Sequence, residues 1–322
     1  MTTDLKELYD ALSAIARGTV ERSYPLARFT TYRLGGPAEI YIEPAGLDDL
    51  MVLSTQLREL DPRGAIPVLV VGRGSNLVIS DTGWPGIALR LGQPFAALDL
   101  RDDDPASFDV GAGKPLPLVA NWSARRELSG MEWGVGVPGS IGGAVRMNAG
   151  AHGTDLAATL VQATVLSLES GEVTERTSEQ LDLSYRHSNL TDQEIVVSAR
   201  LKLTPEPRDA IRARMETFRK HRAATQPGAL QNAGSTFKNP EGDSAGRLVE
   251  AAGLKGWRVG GASVSEVHAN FFMADDTATA QDVFDLIHDV RRKVNDAFGV
   301  ELTPEVRFAG SFAERPAEVR RP

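Results

Sequence analysis

Two glycine-rich segments give the strongest chemical signal in this sequence. The first runs from Gly72 to Leu77, directly after the apolar residues 67–71, and the second covers residues 134–153. Glycine allows backbone N–H groups to approach an anion closely, and its positive φ angles build concave anion sites. A pair of such loops suits a ligand that carries two phosphates. Ordinary turns would also account for the glycines, so the residues alone leave both interpretations open.

The second segment contains Gly134-Val135-Gly136-Val137-Pro138-Gly139, which matches the dinucleotide-binding pattern G-x-G-x-x-G. That pattern is informative only between a strand and a helix. The sequence predicts no convincing strand before it, and Gly142 with Gly143 would weaken a helix after it. A Rossmann fold is therefore disfavoured. A P-loop is excluded because no Lys-Ser/Thr pair follows at the required spacing.

Three further polar segments contain residues that could do chemistry. They are Asn232–Pro240 with Ser235, Tyr185–Ser188 with Arg186, and Thr303–Phe308 with Glu305. Each also fits an ordinary structure: a loop with a helix-capping serine, a solvated strand end, and an edge strand with one wet face. Taken singly, none of the three identifies a site.

Composition excludes several classes of function. The 322 residues include no cysteine, so disulfides, thiolate metal sites and a cysteine nucleophile are absent. The five histidines lack zinc-ligand spacing, and no G-x-S-x-G nucleophile motif occurs. A net charge of −8 disfavours nucleic acid as a partner. The sequence shows neither a signal peptide nor an 18-residue apolar run, so we expect a cytoplasmic protein.

Hydrophobic spacing predicts the elements that must hold these segments. A helix over 4–17 comes first, followed by a strand at 38–43, a helix at 47–60 and a strand at 67–71. This β-α-β order indicates an α/β or α+β fold. The central part is predicted to contain a strand at 107–111, a helix at 116–128, a hairpin over 161–175 and a strand at 194–203.

The pattern changes near residue 204, where we place a domain boundary. Helices are predicted at 207–222 and 244–252, the second ended by Gly253. Thr279 and Asp282 form a predicted capping box for a last helix through Phe298.

Taken together and in order, these segments resemble one family, the UDP-N-acetylenolpyruvoylglucosamine reductases (MurB). The matching segments are Thr30–Ala38, Gly72–Leu77, Gly136–Gly150, Tyr185–Ser188, Asn232–Pro240, Gly260–Phe271 and Pro304–Phe308. They extend over residues 28–310. Each segment is moderately specific, and their ordered co-occurrence is strongly specific.

The resemblance implies an α+β fold with an FAD-binding fold of the vanillyl-alcohol-oxidase (PCMH) type in two subdomains, plus a C-terminal α/β substrate-binding domain. Subdomain 1 would comprise residues 1–91 with a returning strand at 304–311, and subdomain 2 residues 92–204. The substrate-binding domain would comprise residues 205–303. The polar tail at 312–322 is expected to be disordered.

The resemblance also implies that the two glycine-rich segments hold FAD. The implied cofactor-binding residues are Gly72, Arg73, Gly74, Ser75, Asn76, Leu77, Gly136, Pro138, Gly139, Ser140, Met147, Asn148 and Gly150. In related oxidases a histidine or cysteine, often in the first loop, bonds the flavin covalently. Residues 72–77 contain neither, so we expect non-covalent FAD.

By the same resemblance, the catalytic residues are Arg186, Ser235 and Glu305, and Lys238 with Asn239 would suit the diphosphate of the substrate. The implied reaction is the NADPH-dependent reduction of UDP-N-acetylglucosamine enolpyruvate to UDP-N-acetylmuramate. It serves peptidoglycan precursor synthesis, and with it cell wall biogenesis, cell shape and cell division.

The resemblance also indicates which type of this family the chain belongs to. The segment between Arg186 and Ser235 is short, and Arg222-x-x-x-Gln226-Pro227 resembles the family's shorter, second type. That type leaves undetermined what closes the substrate cleft. A monomer is expected, with no nucleic acid or membrane partner. The alternatives are another flavin oxidoreductase of the same fold and a non-catalytic UDP-sugar-binding module.

Overall fold

The computed structural model describes residues 3–228 and 231–314. The predicted disordered tail at 312–322 lies mostly outside the described residues. Within them the α-helices are α1 Thr3–Ile15, α2 Leu47–Leu60, α3 Leu116–Arg125, α4 Ile141–Met147, α5 Arg208–Thr225, α6 Ala245–Ala251 and α7 Ala280–Phe298.

The strands of the described residues are mostly short. They are β1 Thr19–Pro25, β2 Pro37–Glu43, β3 Val68–Val70, β4 Leu77–Ile79, β5 Trp84–Leu89, β6 Leu98–Leu100, β7 Ser107–Gly111, β8 Leu128–Ser129, β9 Gly150–Ala151, β10 Thr154–Asp155, β11 Leu160–Ser167, β12 Val173–Thr177, β13 Glu194–Lys202, β14 Thr204–Pro205, β15 Arg258–Val259, β16 Ala262–Val264, β17 Phe272–Ala274 and β18 Arg307–Ala309.

The backbone divides into two compact units, each discontinuous in sequence. The first unit contains residues 3–24, 38–73 and 85–224, and the second contains residues 25–37, 74–84, 225–228 and 231–314. The division between the units therefore falls inside the first glycine-rich segment, between Arg73 and Gly74. The predicted three-domain division concerns which segments bind which ligand, and it stays a prediction.

The first unit contains a four-stranded sheet in the order β1-β2-β5-β3, with β3 parallel to β5. Helix α1 buries Leu8 and Leu12, and α2 buries Leu50 and Leu53, in one apolar cluster with the strands. The helical spacing of these leucines is the pattern from which both helices are predicted. Strand β3 leads directly into the first glycine-rich segment.

A second sheet in the same unit is five-stranded and antiparallel, in the order β12-β11-β13-β7-β6. Its core includes Phe108 and Trp133, which are almost fully buried together with Ile141 of α4. Helices α3 and α4 belong to the same cluster. This packing fixes the second glycine-rich segment, because residues 134–140 lie between Trp133 and Ile141.

Helix α5 is held to the first unit by packing and by an ionic network. Ile211 and Met215 are buried against α3 residues and Val135. Arg214 Nη2 donates to Glu132 Oε1 at 2.6 Å and to Glu206 Oε2 at 2.6 Å. Burial alone would raise the pKa of Glu132, but the Arg214 guanidinium and neighbouring donors lower it below its usual range.

Replacing Arg214 with methionine should therefore destabilise the protein by about 2 kcal/mol. The expected loss lies between the roughly 0–1 kcal/mol of exposed pairs and the 3–5 kcal/mol of buried ones, because the Arg214 side chain is 40% exposed and Glu132 only 8%. Denaturant unfolding of R214M, E132Q and the double variant would measure it. The double variant should lose less than the sum of the singles, and additive losses would contradict the pairing.

The second unit contains an antiparallel sheet, β15-β16-β17, and the parallel pair β18-β4. Helix α7 buries Val283, Ile287 and Val290 in the core of this unit. The predicted capping box at its start is confirmed, because the Thr279 and Asp282 side chains each accept from the other residue's backbone N–H. Strand β18 brings the C-terminal end of the described chain beside β4, which follows the first glycine-rich segment.

Most predicted elements are confirmed with small differences at their ends. The helix predicted at 116–128 ends at Arg125, and Glu127 beyond it has a φ of 60°. Gly142 and Gly143, which are expected to weaken a helix after the motif, both lie within the seven-residue α4, so a short helix forms despite them. The Ser140 side chain caps α4, which offsets part of the glycine cost. No strand directly precedes this helix in the described chain, where residues 132–136 form a 3-10 helix.

Candidate active site

The first glycine-rich segment is a tight loop between β3 and β4. Gly74 has a φ of 58°, and a Cβ at this position would lie 2.0 Å from the Phe29 carbonyl oxygen. Thr31 N–H donates to the Gly74 carbonyl at 3.3 Å and holds the loop from the same side. Within the described chain, the backbone N–H groups of residues 72–76 donate to no protein acceptor. Leu77 is buried at the start of β4 and ends the loop.

Within the first unit, Gly72 faces the second glycine-rich segment at Ser140. A Cβ on Gly72 would lie 2.7 Å from Ser140 Oγ, so only glycine leaves this approach open. Pro138 and Gly139 precede Ser140, and the Gly139 carbonyl accepts from Leu116 N–H at 2.9 Å. The loop is therefore fixed against α3 while its polar groups stay near Gly72.

The end of α4 is built around Asn148. Asn148 follows Met147, the last residue of α4, in a left-handed conformation with φ 37°. Its buried side chain donates to Asp155 Oδ2 and to the Ser184 carbonyl, both at 3.0 Å, and accepts from Ala157 N–H. The Asn148 side chain is thus committed to the protein, and it orients the turn that carries Arg186.

Arg186 lies in a tight turn rather than at a strand end. Ser184 and His187 exchange backbone hydrogen bonds across it, and Arg186 itself has a φ of 54°. Arg186 Nη2 donates to the Gly150 carbonyl at 2.9 Å. The half-buried guanidinium is therefore oriented by the second glycine-rich segment.

Ser235 lies on an extended segment of the second unit and does not cap a helix. It forms an isolated β-bridge with Phe271. Asn270 fixes the next two residues: its carbonyl accepts from Thr236 N–H at 2.8 Å, and its side chain forms two hydrogen bonds of 2.9 Å with the Phe237 backbone. The half-buried Ser235 hydroxyl is thus presented from a rigid backbone.

The backbone of Glu305 forms hydrogen bonds with the segment that carries Ser235 and with the first glycine-rich segment. Glu305 N–H donates to the Thr236 carbonyl at 2.8 Å, and Asn76 Nδ2 donates to the Glu305 carbonyl at 3.0 Å. Arg307 N–H in turn donates to the Asn76 carbonyl at 2.9 Å. Strand β18 begins two residues after Glu305, so Glu305 is not part of an edge strand.

The two predicted substrate residues follow on the same segment. Lys238 N–H donates to the Thr303 carbonyl at 2.9 Å, and the Lys238 side chain is half-buried. Asn239 is exposed, and its Oδ1 accepts from Ala245 N–H at 3.1 Å, next to the Ser244 cap of α6. Asn239 therefore has a structural role at the start of α6.

Each unit gathers one part of the predicted site. The first unit brings Gly72 to Ser140, and Arg186 to Gly150. In the second unit a continuous set of hydrogen bonds joins Asn76, the segment of Ser235 and Lys238, and Glu305. Residues that lie far apart in sequence thus converge within each unit.

Sequence reasoning missed two residues of this region. Asn270 clamps the Ser235 segment, and it lies inside the matched segment Gly260–Phe271 without an assigned role. Arg222 contacts Gly136: a Cβ on that glycine would lie 2.4 Å from Arg222 Cδ. The contact between Gly136 and Arg222 depends on the fold, so the sequence alone could not have shown it.

The described residues show neither a metal site nor a membrane-spanning helix. Among them no group of three or more histidine, cysteine or acidic side chains could hold a metal ion. Residues 3–228 and 231–314 also include no helix long and apolar enough to cross a membrane.

Two family models match separate parts of this chain. A model described as "FAD binding domain" matches residues 42–177, and one described as "UDP-N-acetylenolpyruvoylglucosamine reductase, C-terminal domain" matches residues 226–309. The first covers the strand before Gly72 and the second glycine-rich segment. The second covers the Ser235 segment and Glu305.

Similar proteins span nearly the whole chain. UDP-N-acetylenolpyruvoylglucosamine reductase of Agathobacter rectalis is 43% identical over 89% of this chain and 93% of its own length. The reductase of Synechococcus elongatus is 44% identical over 92% of this chain and 96% of its own length.

A solved structure agrees in fold as well. The crystal structure of the reductase (MurB) from Thermus caldophilus superposes with a TM-score of 0.77 at 34% identity, covering 92% of this chain and all of that one. With the FAD-binding model, this match confirms the predicted α+β fold class. The chain belongs to the UDP-N-acetylenolpyruvoylglucosamine reductase family.

Proposed function

We propose that this chain reduces UDP-N-acetylglucosamine enolpyruvate to UDP-N-acetylmuramate, using NADPH and bound FAD, in peptidoglycan precursor synthesis. One observation supports the proposal most strongly. The segment of Ser235, the backbone of Glu305 and Asn76 of the first glycine-rich loop are joined by consecutive hydrogen bonds. A proton donor and an acidic residue are thereby fixed to a loop suited to a phosphate-bearing cofactor.

The glycine-rich segments fit FAD. The N–H groups of residues 72–76 have no protein acceptor within the described chain, and the Gly72 approach to Ser140 leaves no room for a Cβ. Such N–H groups suit the oxygens of a diphosphate. Gly72 to Leu77 and Gly136 to Gly150 would each contribute to FAD binding. Neither histidine nor cysteine occurs in residues 72–77, which supports non-covalent binding.

The reaction adds a hydride and a proton across the enolpyruvyl double bond. When bound, FAD would supply the chemistry of hydride transfer between NADPH and C3 of the enolpyruvyl group. Negative charge then develops at C2 and spreads into the adjacent carboxylate. Arg186 offers a planar cationic fork to that carboxylate. Its hydrogen bond to the Gly150 carbonyl orients the guanidinium before substrate arrives.

Ser235 completes the reaction by donating its hydroxyl proton to C2. A serine hydroxyl is a weak acid in water, but it can donate to a developing carbanion in a dry, cationic site. Asn270 holds the serine's backbone rigid, which preserves the donor position. Glu305 orients the enolic end of the substrate, and Lys238 with Asn239 binds the UDP diphosphate.

The proposed function also assigns a ligand to each part of the chain. Residues 1–91 with 304–311 and residues 92–204 would bind FAD, and residues 205–303 would bind the UDP-sugar. We propose a monomeric enzyme of the cytoplasm, where NADPH and nucleotide sugars are made. Its net charge of −8 disfavours a nucleic-acid partner.

Steady-state kinetics should show a ping-pong pattern, because NADPH must leave before the UDP-sugar enters the same site. Initial rates with both substrates varied should give parallel double-reciprocal lines, and mass spectrometry should detect UDP-N-acetylmuramate. Intersecting lines would contradict sequential use of one site. Oxygen consumption with simple alcohols or hydroxy acids would favour another oxidoreductase of this fold, and a protein that binds the sugar but no FAD would favour a non-catalytic module.

A further inference from the structure

The last turns of α5 bring a guanidinium to the second glycine-rich segment. A Cβ on Gly136 would lie 2.4 Å from Arg222 Cδ and 2.9 Å from Arg222 Nε. A side chain at residue 136 would therefore displace Arg222 from this position. Neither the predicted site residues nor the proposed chemistry uses Arg222.

Arg222 is half-buried and has no counter-ion among the residues that the structure describes. Within residues 3–228 and 231–314 it makes no hydrogen bond or ion pair, and burial lowers its pKa. A charge withdrawn from water is costly unless an opposite charge or hydrogen-bond acceptors compensate. Such an arginine is suited to an anion that comes from outside the protein.

The side chains described near Arg222 supply no compensating negative charge. His152, which follows Gly150 and Ala151, stacks on Phe218 with ring centroids 4.0 Å apart. The pKa of His152 is lowered first by burial and then by the positive charges of His221 and Arg222. Among the described residues, no acidic side chain contributes to the pKa shift of either His152 or Arg222.

Helix α5 is also rigid enough to place Arg222. The buried Ile211 and Met215 fix its first turns, and the Arg214 network with Glu132 anchors it beside the residues that lead into Gly136. Phe218, one turn before Arg222, packs on the same cluster and on His152. The end of α5 thus contacts both halves of the second glycine-rich segment.

We propose that Arg222 is a cofactor-binding residue whose guanidinium pairs with an anionic group of the bound FAD at the second glycine-rich segment. The proposal rests on the proposed function. FAD rather than the UDP-sugar is the partner because Arg222 and Gly136 belong to the first unit. Gly136 also lies within residues 42–177, the match to the FAD-binding model, whereas the C-terminal reductase model begins at residue 226.

FAD offers two groups of the required chemistry. One is the diphosphate, and the other is the N1–C2 carbonyl edge of the ring, which becomes negative on two-electron reduction. Both present oxygen acceptors that suit a guanidinium. Binding and redox measurements separate the two.

The test compares wild-type protein with R222Q after removal of FAD. Titration with FAD and with riboflavin gives two dissociation constants, and equilibration with a reference dye gives the midpoint potential of the FAD-loaded proteins. A tenfold or greater weakening for FAD with riboflavin unchanged would support pairing with the diphosphate. A fall of about 30 mV or more, a tenfold loss of relative affinity for the reduced form, would support pairing with the ring.

Further variants separate this role from a purely structural one. R212Q removes an exposed arginine from the same helix and should change neither quantity. R222K should retain part of the effect, and G136A should reproduce R222Q because its Cβ displaces Arg222. If folded R222Q and G136A keep both quantities within twofold of the wild type, the proposal is wrong while the proposed function stands. If the wild-type protein itself binds no FAD, the proposed function fails first.

Discussion

Replacing Ser235 with alanine should leave FAD binding and FAD reduction by NADPH intact, while reoxidation by the UDP-sugar slows by about 100-fold or more. In the proposed mechanism the hydroxyl acts only when C2 of the enolpyruvyl group takes its proton. A loss of about 3 kcal/mol or more of transition-state stabilisation corresponds to that change in rate. Anaerobic stopped-flow absorbance resolves the two half-reactions.

S263A provides a matched control for this experiment. Ser263 is a half-buried serine on β16 of the same unit, and it lies outside the proposed site. Its replacement should leave both half-reactions near wild-type rates. If S235A reoxidises as fast as S263A, Ser235 is not the proton donor.

Replacing Gly74 with alanine should weaken FAD binding by about 100-fold or more and destabilise the protein by about 3 kcal/mol or more. The φ of 58° alone costs a side chain about 1–2 kcal/mol. The added Cβ would also lie 2.0 Å from the Phe29 carbonyl oxygen and 2.6 Å from Thr30 Cα, so the loop must move. Its N–H groups would then lose the arrangement that suits a diphosphate. FAD titration of the apo-protein and denaturant unfolding measure the two effects.

G64A separates backbone strain from the steric clash. Gly64 has a φ of 64° and no atom within 4 Å of an added Cβ. It should lose about 1–2 kcal/mol from the left-handed conformation and bind FAD normally. Equal behaviour of G74A and G64A would mean that the close approach at Gly74 has no part in shaping the cofactor loop.

The fold was largely predictable because its elements depend on local patterns. The leucines of α1 and α2 repeat at helical spacing, and the capping box of Thr279 and Asp282 marks the start of α7. Helix α4 was not predictable from its glycines. A Cβ on Gly142 would lie 3.0 Å from Ala112 Cβ, so Gly142 allows α4 to pack closely against β7's end, a contact that no local pattern encodes.

The site was predictable only in part, for the same physical reason. Motifs predicted the glycine-rich loops and the segments of Arg186, Ser235 and Glu305 as candidate site segments. Asn270 fixes the Ser235 segment through hydrogen bonds between distant segments, and Arg222 reaches Gly136 from a helix far along the chain. Such partners depend on tertiary packing, so their roles cannot be inferred from spacing.

The measurement that tests the central claim most directly is an anaerobic absorbance series on the purified, FAD-loaded protein. The account predicts a yellow protein that NADPH bleaches and that UDP-N-acetylglucosamine enolpyruvate then restores to its original colour. Bleaching without restoration would contradict the proposed substrate and point to another oxidoreductase of this fold. A protein that stays colourless after FAD is supplied would contradict the flavin chemistry itself.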